Sequence, residues 1–499
     1  MKIAALLTLV TVALSAYAPP RLAAQVAVRP PRPTDDQAQV TAQRHARTRM
    51  QGDVSALEGS RPAYPFWRHI FTVPDGAIIF GSATDGRLLA TFPVRGDWTR
   101  DGLWEETSLA EALSGQWLSR DLSDRRAEVA KLLEPAAGPV VHNATRGLFL
   151  LPNERRYGLF IDEWSAIYER FGVPAEIGLA QALVESGLNG TARSEARAIG
   201  FCQWLQSNWN RLKRLSPHPI EGYNQTTQAP YCAAYLSILA TKYGSFIPAL
   251  SEHHAGGTNI GRTLINGERL GGATTRERYF LGSDFARDLR TMSPGTYRDV
   301  YGSYGPRSIL YAEMVFGNAA NVERIRAEVP QSKLYAMRLP RAFTLAEITR
   351  RTKLSADQVR RYNPALTRRA PRGATLYLPS YVAAFGPDVA FWHRPSSRAY
   401  AALLDEFVGL GVSPDEWDSA AFDRVLEGFR TRFAATRTEE GAVMATTIAY
   451  VMQDRRTSRQ AEILADFRAS EHILQLFQQA RQERDAFRAA NAILPPITD

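Results

Sequence analysis

Residues 175–186 read Ala-Glu-Ile-Gly-Leu-Ala-Gln-Ala-Leu-Val-Glu-Ser, with Pro174 before them and Gly187 after. Proline at the start and glycine at the end fence this stretch as one helix. Ile177, Leu179, Leu183 and Val184 make it apolar, so other elements have to cover it, and Glu185 stands at its C-terminal end. A carboxyl in apolar surroundings is expected to titrate high, because desolvation disfavours the anion. Such a group keeps its proton near neutral pH and can pass it to a leaving oxygen. A loop of small residues follows, then Gly200 and the amide Gln203. Glycine allows close backbone approach, and an amide can hold a sugar hydroxyl or acetamido group. Alone the pattern is weak, since most glutamates near helix ends are solvated charges.

The chain around this helix is 499 residues long, enough for two to four domains at about 100–200 residues each. With 45% hydrophobic and 22% charged residues it can build packed cores, which excludes disorder throughout. No apolar run of bilayer length follows the N-terminus, which excludes a polytopic membrane protein. Met1-Lys2, the apolar residues 3–15 and Ala16-Tyr17-Ala18 have the order of a signal peptide, with Ala24 as a competing cleavage site. Residues 1–24 are therefore read as a signal peptide, and the protein as exported to the periplasm or cell envelope. No cysteine lies near the cleavage site, so a lipoprotein is not expected. Cys202 and Cys232 are the two cysteines of the chain, a disulfide candidate or two buried thiols.

Residues 25–60 are polar and rich in Pro and Arg, a linker composition. Short strands at 71–73, 77–80 and 88–92, followed by helix within 107–134, make a small α+β module over 61–150 with no assignable role. From residue 155 the pattern is helical, at 161–171, 175–186, 204–214, 226–243, 246–254, 276–290 and 307–328. We read 291–330 as a helical connector whose apolar face packs between domains. Residues 397–490 are helical again, either a bundle or a surface for envelope protein partners. A net charge of +9 suits an acidic partner. No aromatic–basic recognition motif, P-loop or dinucleotide glycine motif is present, so neither nucleic acid nor a cofactor is expected.

The segment from Glu185 to Gln203 resembles the signature of the soluble lytic transglycosylase (SLT) domain. Glu185, Ser186, Leu188, Ala192, Ser194, Ala198, Gly200 and Gln203 match it, while Gly190 stands for a proline and Arg197 for a glycine. The resemblance covers residues 155–290 and implies a mainly α, lysozyme-like (α+β) catalytic domain. It further implies peptidoglycan glycan strands as substrate, cleavage of the MurNAc–GlcNAc β-1,4 bond, and 1,6-anhydro-MurNAc ends. Carried over, Glu185 is the acid and then the base, Ser186 and Gln203 contact substrate or orient it, and Tyr279 matches the family's late tyrosine near that glutamate. The resemblance also sets Cys202 beside the cleft loop and Cys232 on the helix beneath it, implying that they pair.

One stretch departs from the family. Glu252-His253-His254 stands where an Ala-Tyr-Asn run is expected, so His254 takes the place of a sugar-binding asparagine. Adjacent helical residues point about 100° apart and no third ligand stands at metal spacing, so no metal site is expected. The altered stretch leaves two alternatives to transglycosylation. One is a hydrolytic muramidase using Glu185 and Glu252; the other is a non-catalytic peptidoglycan-binding scaffold. Residues 335–380 have strand–helix–helix–strand cues, with Thr344-Leu345, Ile348, Leu354-Ser355, Asn363-Pro364 and Leu376-Tyr377-Leu378-Pro379. This βααβ order resembles a LysM glycan-binding module, and with the SLT-like segment it resembles the membrane-bound lytic murein transglycosylase D type.

Overall fold

The computed structural model describes residues 37–302, 306–413, 416 and 419–490. The expected signal peptide lies outside the described residues. Among them no helix is long and apolar enough to cross a membrane.

The expected linker is largely a helix, α1 (Gln37–Ser60). Ala42, Ala46, Asp53 and Leu57 are buried along it, with Met50 and Val54 packed beside them. That spacing is helical; small apolar residues spread among many polar ones made the stretch read as linker. Asp53 is fully buried and accepts from Ser245 Oγ (2.6 Å), the Phe246 backbone N–H (2.7 Å) and Arg276 Nε (2.6 Å). Burial pushes this carboxyl upward, against the Arg276 charge and the three bonds.

A short helix, α2 (Trp67–Thr72), takes the place of the strand expected at 71–73, because Ile70 and Phe71 insert into the main helical core. The small module follows: β1 (Ala77–Ser82), β2 (Leu88–Pro93), α3 (Trp98–Asp101), β3 (Leu103–Trp104), α4 (Leu122–Ala137) and β4 (Val140–Ala144). Its antiparallel sheet runs β3-β2-β1-β4 over a separate core of Phe80, Phe92, Trp98 and Leu133.

Then comes the helical body: α5 (Gly147–Tyr157), α6 (Ile161–Arg170), α7 (Ala175–Ser186), the hairpin β5 (Ala198–Ile199) and β6 (Trp204–Leu205), α8 (Gln206–Leu215), α9 (Gln225–Tyr243), α10 (Phe246–Ala255), α11 (Gly257–Arg269), α12 (Thr275–Met292), α13 (Pro294–Tyr301) and α14 (Pro306–Glu328). Helices apolar round their circumference belong inside, and α7 and α9 are buried on nearly every side. Cys202 and Cys232 are joined, with Cα atoms 6.3 Å apart, tying the loop before β6 to α9. The stretch read as a connector is not one: α14 lies along α7 and α10.

Beyond α14 come β7 (Tyr335–Arg338), β8 (Phe343–Thr344), α15 (Leu345–Thr352), α16 (Ala356–Tyr362), β9 (Arg369–Ala370) and β10 (Thr375–Leu378). Strands β7 and β10 pair antiparallel over a core including Ile348, Val359 and Leu376. Reciprocal caps, Thr344 with Glu347 and Ser355 with Gln358, start the two helices. The Tyr377 hydroxyl reaches out of this unit to Thr227 Oγ1 at 2.8 Å. The C-terminal helices are α17 (Arg398–Val408), α18 (Ala420–Ala435), α19 (Glu439–Ser458), α20 (Gln460–Ala469) and α21 (Glu471–Ala490). They wrap the body: α17 packs on α1, α19 on α8 and α9, α20 on α11, and α21 on α12 and α13. Buried ion pairs Arg170–Glu440 and Arg484–Asp288, both 2.6 Å, fasten them.

Replacing Asp53 by Ala strips Arg276 of a buried partner and leaves the Phe246 N–H unmet. Breaking a buried pair costs roughly 3–5 kcal/mol. Asp53→Ala should lower the urea midpoint by the equivalent of that loss. A loss under about 0.5 kcal/mol, the range of ordinary surface changes, would show that α1 is not pinned this way.

Candidate active site

Helix α7 ends because Gly187 adopts a left-handed φ of 57°. A Cβ there would lie 2.2 Å from the Phe149 carbonyl oxygen, so a larger residue has no room. Glu185 is thereby held on the last turn, its side chain 13% exposed. The chain doubles back through residues 187–203. Ser186 Oγ lies 2.9 Å from Ala182 O and 2.8 Å from Phe201 O, its one proton shared between them. Gln203, at a φ of 49°, donates from Nε2 to Ala192 O (3.2 Å) and Gly200 O (3.0 Å). Gln228 of α9 accepts from the Phe201 N–H at 2.6 Å. The loop is thus stapled at both ends and underneath.

Two distant helices bring donors to the carboxyl. Tyr311, on α14, donates its hydroxyl to Glu185 Oε1 at 2.5 Å. His253, on α10, places Nε2 3.4 Å from the same oxygen and 3.0 Å from the Cys202 carbonyl oxygen. The Trp204 indole N–H donates to His253 Nδ1 at 3.3 Å. His254 is exposed and stacks on the Tyr311 ring, centroids 4.5 Å apart and planes within 1°.

The Glu185 carboxyl titrates below the usual carboxylate value, not above it as its apolar helix suggested. Burial alone pushes it up. The His253 hydrogen bond, the His253 and His254 charges and the Tyr311 hydrogen bond push it down and prevail. Two of these opposing forces are charges, which exist only when the imidazoles carry a second proton.

Several expected site residues lie elsewhere. Tyr279 is 1% exposed and its hydroxyl meets Ser251 Oγ (2.7 Å) and Ile309 O (3.4 Å); Tyr311 occupies the position by Glu185 that Tyr279 was expected to hold. Ser186 is equally buried, which closes it to substrate and leaves it fixing the end of α7. Both amide protons of Gln203 go to the loop carbonyls. Glu252 is not across a cleft from Glu185. It is 7% exposed and turned inward, paired with Lys242 Nζ at 2.8 Å and accepting from the Tyr243 hydroxyl. The structure brings His253 and His254 beside the Glu185–Tyr311 pair as sequence reading did not foresee for His253 and Tyr311. An aromatic hydroxyl on the otherwise apolar face of 308–329 was the one signal for Tyr311. Among the described residues no group of three His, Cys, Asp or Glu could hold a metal ion.

Residues 162–272 match the family model described as the transglycosylase SLT domain. The match includes Glu185, the loop to Gln203 and both histidines, and ends before α12 and α14. The match supports a lysozyme-like fold for this segment and, more coarsely, a lytic transglycosylase acting on peptidoglycan. A search of curated proteins found no match.

Tyr311→Phe removes a donor that favours the ionised carboxyl, so Glu185 should hold its proton to higher pH. The alkaline limb of the pH–rate profile on sacculi should move upward relative to the parent. A limb that stays put or moves down would contradict the bond.

Proposed function

We propose that the protein cleaves the MurNAc–GlcNAc β-1,4 bond by lytic transglycosylation, with Glu185 as the only acid and base. The observation that carries this reading is the setting of Glu185 within the SLT match, under Tyr311 and His253, with Glu252 withdrawn into its own ion pair. Glu185 gives its proton to the glycosidic oxygen as the C1–O bond breaks. The carboxylate left behind is steadied by the two donors, since hydrogen bonds to charged acceptors are the stronger ones. It then takes the proton of the C6 hydroxyl, whose oxygen closes on C1 to form the 1,6-anhydro ring. Proton given and proton recovered balance, and no water enters. A glycan laid over Glu185 displaces solvent and raises its pKa, which favours the protonated acid on binding.

A hydrolase of the two-carboxylate kind needs a second carboxyl facing the cleft, and Glu252 is not placed to serve. His254, exposed on the Tyr311 ring, is read as the group that meets sugar in place of an asparagine. We read 335–380 as a LysM-type glycan-binding module, supported by its β-α-α-β order and separate core. With the N-terminal signal-like segment, this reading places the protein in the periplasm or envelope. The arrangement then resembles the membrane-bound lytic murein transglycosylase D type.

Glu185→Gln keeps the shape but cannot carry the proton, so sacculus lysis should fall on the order of 10²–10⁴-fold with glycan binding retained. Mass analysis of parent digests should show anhydro ends; reducing ends would establish a hydrolase, and lysis by the variant within tenfold of the parent would remove Glu185 from the role.

The His254 charge helps to hold Glu185 down. His254→Asn removes that charge, and histidine ordinarily titrates near pH 6.5. The ratio of variant to parent rate should therefore rise as the pH is lowered from 8 to 5 across that value. A flat ratio would leave His254 without influence on the acid.

A further inference from the structure

We propose that the C-terminal helical region reaches into the proton chemistry of the site: Tyr450 on α19 holds Trp204, and Trp204 holds His253 as its neutral Nε2–H tautomer beside Glu185. Trp204 and Tyr450 are then positioning residues, acting through His253. The inference rests on the reading of Glu185 as the acid.

The tautomer follows from the partners. An indole N–H can only donate, and the Trp204 N–H points at Nδ1 from 3.3 Å, so Nδ1 presents its lone pair. A carbonyl oxygen can only accept, and the Cys202 oxygen lies 3.0 Å from Nε2, so Nε2 carries the hydrogen. That hydrogen also faces Glu185 Oε1 at 3.4 Å. Both nitrogens are assigned in the neutral ring, so the His253 charge that would push Glu185 further down is withheld while the indole N–H holds Nδ1. A second proton would have to enter at Nδ1, against the indole N–H. This matters because a charged His253 would keep Glu185 ionised, the wrong state for a proton donor. A neutral His253 withholds that charge and still offers one hydrogen bond to the carboxylate once the proton has left.

Trp204 keeps its aim because it is boxed in. Trp209 lies 4.8 Å away and Tyr235 meets the indole edge-on at 4.9 Å and 84°. Tyr450 stacks on it at 5.5 Å and 20°. Trp209 and Tyr235 lie within the SLT match, whereas Tyr450 comes from the C-terminal region. Tyr450 is 3% exposed, and Arg211, ion-paired with Asp454 of the same helix, lies over its ring. The other ionisable groups around His253 are Glu185 on α7, Tyr235 on α9, Tyr311 on α14 and His254 on its own helix. Its other neighbour in sequence, Glu252, is spent on Lys242.

The test uses full-length protein with ¹⁵N-labelled histidine, the His253 signal assigned by its loss in His253→Gln. In the parent, His253 should show a bare Nδ1 and a protonated Nε2 under the conditions of the lysis assay. In Trp204→Phe, which keeps a ring but loses the donor, the Nδ1 signal should move toward the protonated form under the same conditions. The alkaline limb of the lysis profile should then move to lower pH. Tyr450→Ala should move it the same way, and Tyr450→Phe, which keeps the stacking ring, should restore the parent profile. A Trp204→Phe protein whose Nδ1 stays bare and whose profile superimposes on the parent's overturns the proposal. The two readings fail separately. Lysis that survives Glu185→Gln removes the acid assignment, and with it the catalytic meaning of the tautomer. An inactive Glu185→Gln beside an unaltered His253 spectrum in Trp204→Phe removes only the role of Trp204.

Discussion

A carboxylate at the C-terminal end of a buried helix is an unfavourable object, and the helical body is arranged around making it tolerable. The negative end of the helix dipole and the apolar surroundings both oppose the charge on Glu185. Helix α7 cannot supply the remedy, because its own last N–H groups point back along the helix. Donors have to come from outside. Tyr311 delivers one from α14 and His253 the other from α10. For that, α14 has to lie along α7, and α10 has to end against the loop before β6. That loop in turn is held to α9 by the Cys202–Cys232 bond and by Gln228. Fold and site are one problem here: the same packing that buries α7 produces the donors its last turn requires.

What could be read from the chain alone was whatever is local. Helix α7 with its flanking Pro174 and Gly187, the loop to Gln203, the strand–helix–helix–strand order of 335–380 and the C-terminal helices are all carried by near-neighbour spacing. The misreadings share one cause, which is partners distant in sequence. Asp53 can be buried on α1 only because Ser245, Phe246 and Arg276 meet it. Tyr279 and Tyr311 are both tyrosines on helices with apolar faces, and only the packing of α14 on α7 decides which one reaches Glu185. Glu252 looked like a cleft carboxylate because its neighbours in sequence are cleft residues. On a helix, the adjacent residue points elsewhere, and Glu252 finds Lys242 inside. The direction of the Glu185 shift failed the same way: the apolar helix announces burial but is silent about donors from other helices.

The SLT match ends at residue 272, yet the surfaces it needs do not. Helix α12 covers α11, α14 covers α7, and α19 lies over α8 and α9, carrying Tyr450 onto Trp204 and Glu440 onto Arg170. The unit defined by similarity is therefore smaller than the unit defined by packing. Architectures of this kind are often pictured as beads that recombine freely along a string. In this chain a crossover at the edge of the match would part Glu185 from Tyr311 and uncover the apolar flanks of α7 and α9. A new tail could not be exchanged for the old one unless it brought an aromatic ring and a carboxylate to the same two places. The C-terminal helices and the segment matching the SLT domain therefore form one packed body.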